Sequence, residues 1–208
     1  MNYNDLGLVA YDDALAVQLG AVEEALQGGE EQVYLLEHYP VITLGRNHSS
    51  SNLLADEDLL SSKNIQLVKT SRGGDITCHF PGQLVVYPVM RMEKRPGGVK
   101  SFFHNLEQVV INLLSHYNID SWRIEGMTGV FTCCGKIASM GIALKKWISY
   151  HGIALNLVRD LSLFEYINPC GLKGVNMTSV HRELNSDRPD MKALKNDFCR
   201  EFSRKFSL

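Results

Sequence analysis

No run in this 208-residue sequence approaches the ~20 consecutive apolar residues that a membrane-spanning helix requires. The N-terminal stretch MNYNDLGLVAYDD has neither a basic segment nor an apolar one. It does not read as a secretory leader, and its acidity argues against a transit peptide. A basic excess is missing too: Lys and Arg total 21 against 23 Asp and Glu, a formal net charge of -2. A general nucleic-acid binder works through phosphate neutralisation and needs a clear basic surplus. Cysteine is sparse and irregularly spaced: Cys78, Cys133, Cys134, Cys170 and Cys199 make no disulfide framework. No CxxC or HxxxH spacing points to a metal site. Repeats, low-complexity runs and long linkers are also missing. What remains is a cytoplasmic enzyme or binding domain with reduced thiols. Its length suits one domain over residues 1–208, able to bury roughly 70% of its unfolded surface.

Charge is present but unevenly placed. Residues 1–45 carry eight acids and no Lys or Arg, whereas residues 46–208 carry 21 basic and 15 acidic residues. Arg91, Lys94, Arg95 and Lys100 cluster, with Lys145 and Lys146 further on. Such a run reads as solvated surface or as a docking face for an acidic macromolecule.

Apolar residues at steps of three and four predict helices over 11–26 (Tyr11, Leu15, Leu19, Val22, Leu26) and 99–117 (Phe103, Leu106, Val110, Leu113, Leu114, Tyr117). A third helix, of mixed charge, is predicted over 190–206. Strands are predicted at 32–37, 41–44, 65–69 and 83–87, and hairpin-like spacing dominates 121–158. The elements are interspersed without a strict βαβα rhythm. This predicts an α+β fold with a mixed, largely antiparallel sheet and packed helices.

Four segments carry residue types suited to chemistry. In RGGDITCHFPGQ (72–83), adjacent glycines admit close backbone approach, and an arginine beside them makes an anion or carbonyl cradle. No Gly-Lys-Ser/Thr follows, so it is not a nucleotide-binding P-loop. In CCGKIASMG (133–141), Lys136 enters an apolar strand. There it serves as an edge charge, as a partner favouring a thiolate, or, once desolvated, as a base. HGIALNL (151–157) places Gly152 and Asn156 in a β-rich run. In NPCGLKGVNMTSV (168–180), Cys170 sits in a Pro-Cys-Gly turn, more accessible than a core thiol, and is the best nucleophile of the five. A free thiol is only a few per cent ionised at neutral pH and needs a cationic or basic neighbour. Lys136, His79 and His151 are the candidates.

Taken in series, RGGxxTxHxPGQ, GKIASxG, HGxALN and PCGxxxxxMTS, together with EHYPVITLGR (37–46), resemble the lipoyl(octanoyl) transferase family over residues 32–180. The resemblance implies a fold shared with biotin- and lipoate-protein ligase catalytic domains. It implies transfer of an octanoyl group from octanoyl-acyl carrier protein to a lysine of lipoyl domains, in 2-oxoacid dehydrogenase E2 subunits and the glycine cleavage H protein. The acyl group would pass through a thioester on Cys170, with Lys136 as its catalytic partner, in a monomeric enzyme without metal or cofactor. Three segments would bind the acyl substrate. They are Arg72, Gly73, Gly74, Asp75, Ile76, Thr77, Cys78 and His79; then Ser139, Met140 and Gly141; then Gly152, Ile153 and Ala154. The Gly73-Gly74 or Gly171 N–H groups would meet the oxyanion, and Ile76, Ile142 and Ile153 would line an apolar tunnel. Phe80 replaces a common glycine, which predicts a narrowed acyl path. Phe131 stands for a usual tryptophan, and Cys133-Cys134 is unusual. Three rivals stand beside this reading: an ATP-dependent ligase on the same fold, a cysteine hydrolase, and a non-enzymatic carrier-protein binder.

Overall fold

The computed structural model describes residues 1–169, 175–184 and 188–206. The elements run β1 (Asn2–Val9), α1 (Tyr11–Leu26), β2 (Gln32–His38), β3 (Val41–Leu44), α2 (Glu57–Ser62), β4 (Gln66–Lys69), β5 (Ile76–His79) and β6 (Gln83–Val89). They continue with α3 (Gly98–His116), β7 (Trp122–Ile124), β8 (Met127–Thr132), β9 (Gly135–Lys145), β10 (Ile148–Asn156), α4 (Val180–Glu183) and α5 (Met191–Phe206). Seven strands form one sheet in the order β1-β2-β6-β10-β9-β8-β7, and three form another, β4-β3-β5. Only β1 with β2 and β3 with β4 pair in parallel among the described strands, so the sheet is mixed and largely antiparallel, as the sequence predicts. No described helix is long and apolar enough to cross a membrane.

The runs QVYLLEH and QLVVYPV lack apolar-polar alternation because both sheet faces are covered. Val33, Leu35, Leu84 and Val86 pack with the side chains of α3 and α5, among them Leu106, Val110 and Phe198. The alternate residues Tyr34, Leu36, Val85, Tyr87 and Val89 pack with α1. The predicted helix stripes hold in part: Leu106, Val110, Leu113 and Leu114 of α3 are buried as expected. In α1 the buried residues are the predicted Tyr11 and Val22 together with Ala14, Gln18, Ala21 and Ala25, whereas Leu15 and Leu19 are only partly covered. Small side chains let α1 lie close to the sheet. In α3 the fully buried ring is Phe102, and Phe103 packs at the margin.

β1 does not declare itself in the sequence. Asn, Asp and Gly are poor strand formers, and the strand is an edge with a register shift between Asp5 and Gly7. Its pairing with β2 supplies what its propensity lacks. The smaller sheet, with α2 and residues 161–167, encloses its own core of Ile42, Leu44, Leu60, Ile76, Cys78, Phe80 and Phe164.

Pro88 shapes the centre of the large sheet. It offers no N–H, and the β6–β10 ladder ends at Val86 opposite Ile153. Beside it, a Cβ on Gly152 would lie 2.2 Å from the Val86 carbonyl oxygen and 2.7 Å from Pro88 Cδ. Only glycine permits that approach. The preceding residue, His151, takes a left-handed φ of 58°, a costly conformation for a non-glycine residue. It is held there by Gln18 of α1, whose Oε1 accepts the His151 backbone N–H at 2.7 Å.

Candidate active site

A cavity of about 210 Å³ lies where the small sheet meets the large one. That is below the ~300–1,000 Å³ usual for drug-sized ligands and suits a slender one. Strands β9 and β10 form its floor in a register that joins two of the predicted segments directly. Ser139 pairs with Ala154, Met140 with Ile153 and Gly141 with Gly152. All six line the cavity. From the third segment, Arg72, Gly74, Asp75, Thr77 and His79 line it as well.

Three predicted contacts do not reach the cavity. Ile76 and Cys78 are fully buried in the core of the small sheet, because successive residues of β5 point to opposite faces. Gly73 is not among the lining residues, and its N–H donates to the Ile142 carbonyl at 2.8 Å. That donor fastens the loop to β9 and is not open to an oxyanion. Ile142 itself packs in the large core, so of the three tunnel isoleucines only Ile153 lines the cavity. Phe80 also turns away. It meets Phe164 edge-on at 5.8 Å within the small core, so it does not narrow an acyl path.

Lys136 is 2% exposed and lines the cavity. Its ammonium lies 5.6 Å from the centroid of the Phe131 ring, a cation–π distance. Gly129 makes room for its stem, since a Cβ there would lie 2.6 Å from Lys136 Cε. Its backbone is tied to the segment that follows the Pro-Cys-Gly turn. Lys136 N–H donates to Asn176 O (2.8 Å), and Thr178 N–H donates to Lys136 O (3.0 Å). Cys170 and Gly171 lie outside the described residues.

One hydrogen-bond chain has its polarity fixed from end to end. The Thr178 carbonyl accepts from Asn156 Nδ2 at 2.9 Å. Asn156 Oδ1 accepts from Gln83 Nε2 at 2.9 Å, which also donates to the Cys78 carbonyl. Gln83 Oε1 is therefore an acceptor, and His79 Nδ1 donates to it at 2.7 Å. Burial, with His38 nearby, holds His79 well below the ordinary histidine pKa. His79 is neutral, with a lone pair on Nε2.

His151, a candidate neighbour of the thiol in the sequence, lines the cavity, and so does Tyr11, which the sequence places in a helix core; His38 stands behind Tyr87 and does not line it. Burial lowers His38 to about 4 and His151, with Arg72 nearby, to about 3. His38 Nδ1 donates to the Val9 carbonyl, so Nε2 accepts the Tyr87 hydroxyl at 2.8 Å. Tyr11 stacks on His151 with centroids 6.4 Å apart and lines the cavity with Tyr87. Gly126, Met127 and Thr128, from the β7–β8 turn, complete the wall. The only early sign of this cluster is histidine in apolar surroundings.

Arg72 is a staple. Its Nη2 donates to the Thr43 carbonyl at 2.7 Å and its Nε to Thr43 Oγ1 at 3.2 Å. Asp75 fastens the next loop, accepting from Asn52 Nδ2 and the Ser49 N–H. In contrast, Thr77 Oγ1 and Ser139 Oγ are buried and without a partner among the described residues. Both residues line the cavity. Buried hydroxyls of this kind call for a polar partner in the cavity, a water or a ligand atom.

Comparison with known proteins adds a family. Residues 10–203 match the lipoyl protein ligase A/B catalytic domain. An octanoyltransferase of Nitratidesulfovibrio vulgaris (strain DSM 19637 / Miyazaki F) is 52% identical, across 100% of this chain and 95% of that protein. An octanoyltransferase of Maridesulfovibrio salexigens is 44% identical, across 100% and 97%. In fold, the chain resembles the bipartite lipoate protein ligase of Thermoplasma acidophilum, from a study of that ligase and its E2 lipoyl domain. The TM-score is 0.78 at 17% identity, covering 98% of this chain and 82% of that one. A lipoate-protein ligase A bound with ATP gives 0.75 at 15% identity, covering 99% and 85%.

Proposed function

The chain belongs to the lipoyl protein ligase A/B catalytic-domain family, and from that membership we propose an octanoyl transfer that runs from acyl carrier protein, through Cys170, to a lysine of a lipoyl domain. Octanoyl transfer in protein lipoylation is the activity. The observation that carries it is full-length identity of 44–52% to octanoyltransferases.

The Cys170 thiolate attacks the carrier's thioester carbonyl, the carrier thiol leaves with a proton, and the octanoyl group rests on sulfur. The lipoyl-domain amine then attacks that thioester, loses a proton and forms the amide, returning the thiol. As an ammonium, Lys136 favours the thiolate and gives its proton to the departing carrier sulfur; neutral after that step, it takes the amine proton in the second half as Cys170 leaves. Its burial and its backbone bonds to Asn176 and Thr178, six and eight residues past Cys170, support this pairing. The Thr77 and Ser139 hydroxyls supply donors for the single polar atom of an acyl group, its carbonyl oxygen. Neutral His79 and His151, with Tyr11 and Tyr87, make a wall that suits an uncharged chain, and neutral His38 holds the Tyr87 hydroxyl from behind it. The enzyme acts in the cytoplasm as a monomer, and its acceptors are the lipoyl domains of 2-oxoacid dehydrogenases and the glycine cleavage H protein.

The same fold in a ligase uses a free acid and ATP. The two are separated by supplying octanoyl-carrier protein without ATP, or octanoate with Mg-ATP, and weighing the lipoyl domain by mass spectrometry. Acylation is expected with the carrier alone. Acylation only with ATP would overturn the reading.

A further inference from the structure

The turn between β8 and β9 presents two adjacent exposed thiols with no part in the chemistry above. Cys133 Sγ and Cys134 Sγ stand 3.6 Å apart. A carboxylate oxygen of Glu183, fifty residues away on α4, completes a group whose donor atoms all lie within 4.8 Å of one another. Two sulfurs bound at ~2.3 Å to a tetrahedral cation stand about 3.8 Å apart, so the thiols already hold close to that bite. The pair is not an accident of two mobile side chains. The turn is fixed by the Cys134 N–H, which donates to Thr132 Oγ1 at 3.2 Å. Glu183 is fixed by the Thr132 and Thr178 hydroxyls, which donate to its Oε1 at 2.8 and 2.6 Å.

We propose that Cys133, Cys134 and Glu183 form a surface site for a thiophilic divalent cation, best suited to Zn2+. Two sulfurs and one carboxylate oxygen favour a soft or borderline ion over Mg2+ or Ca2+, and water fills the fourth position. Binding forms two metal–sulfur bonds and one metal–oxygen bond and releases one proton from each thiol to solvent. A cation held by the two sulfurs and the carboxylate offsets the repulsion among these donors. The site joins the start of β9 to α4. Lys136 lies two residues beyond Cys134, and Thr178 bonds both Glu183 and the Lys136 backbone. A bound ion therefore clamps the two segments that hold Lys136.

The test uses the full chain with Cys170→Ser, so that the proposed nucleophile does not bind metal. Cd2+ is titrated while sulfur-to-metal charge-transfer absorbance is followed, and Zn2+ affinity is read by competition with a chromophoric chelator. One ion per chain is expected. Cys133→Ser or Cys134→Ser should weaken binding at least about tenfold, as should Glu183→Gln, while excess Mg2+ should not displace the ion. Metal-free melting curves of the variants verify their fold, and the serine variants, on exposed positions, should melt like the parent. Unchanged affinity in both serine variants, or no binding by the parent, would overturn the proposal.

Discussion

Gln83 holds three buried partners with one side chain. It accepts from His79 and donates to Asn156 and to the Cys78 carbonyl. Methionine has nearly its shape and none of its hydrogen bonds. Gln83→Met leaves His79 Nδ1–H and Asn156 Oδ1 unpaired inside the protein, at about 1–3 kcal/mol each. Urea denaturation should therefore show a loss of roughly 2–6 kcal/mol. A loss under 1 kcal/mol would mean the chain is not closed as drawn. The same residue fixes the His79 tautomer. With Nδ1–H committed, Nε2 of the neutral ring is left as an acceptor.

At the scale of elements, Gly129 on β8 is a sharper probe of Lys136 than truncating the lysine. A methyl there would lie 2.6 Å from Lys136 Cε and 2.5 Å from the Ala138 carbonyl oxygen, at a φ of 126° that side chains rarely adopt. Gly129→Ala should displace the ammonium and lower kcat by at least tenfold, with carrier affinity kept, in steady-state assays. Normal kcat in a folded variant would remove Lys136 from the mechanism. Much at this scale is legible in the sequence. Tyr11–Leu26, Gly98–His116 and Met191–Phe206 carry helical periodicity, and the segments at 139–141 and 152–154 stand out by their residues. Their direct pairing is not legible, because register depends on the whole β9–β10 hairpin. Reading 72–79 as one continuous binding run fails for Ile76 and Cys78, because the segment becomes a strand with alternating faces. His151 and Tyr11 join the wall through a left-handed backbone and a helix docking angle, which no local pattern records.

At the scale of the molecule, three buried neutral histidines tie stability to pH. Each is depressed below its unfolded value of 6.5. The unfolded chain thus binds protons first as pH falls. Stability from these groups is intact above about pH 6.5 and is lost as pH falls toward the folded values. For His38, lowered to about 4, the loss by that pH is about 3 kcal/mol. Melting temperature should drop steeply between pH 6.5 and 4, and less so in His38→Gln; a flat profile would contradict burial of neutral imidazoles.

The basic surface also changes at this scale. Arg95 pairs with Glu31, Lys145 pairs with Glu23, and Arg91 caps the carbonyls of Ala25 and Gly29. The runs of opposite sign in the sequence thus partly neutralise each other in the fold, and Lys94, Lys100 and Lys146 remain as exposed candidates for docking an acidic carrier. Reversing the charges of Lys94 and Lys100 should raise KM for the carrier and leave kcat unchanged, with the effect shrinking in high salt. An unaltered KM would return these lysines to ordinary surface. All of this converges on one intermediate. Mixing the enzyme with octanoyl-carrier protein and analysing its peptides by mass spectrometry should reveal an octanoyl adduct on the peptide containing Cys170. Hydroxylamine should remove the adduct, and Cys170→Ala should abolish it. No adduct, or turnover by Cys170→Ala at the normal rate, would contradict transfer through that thioester.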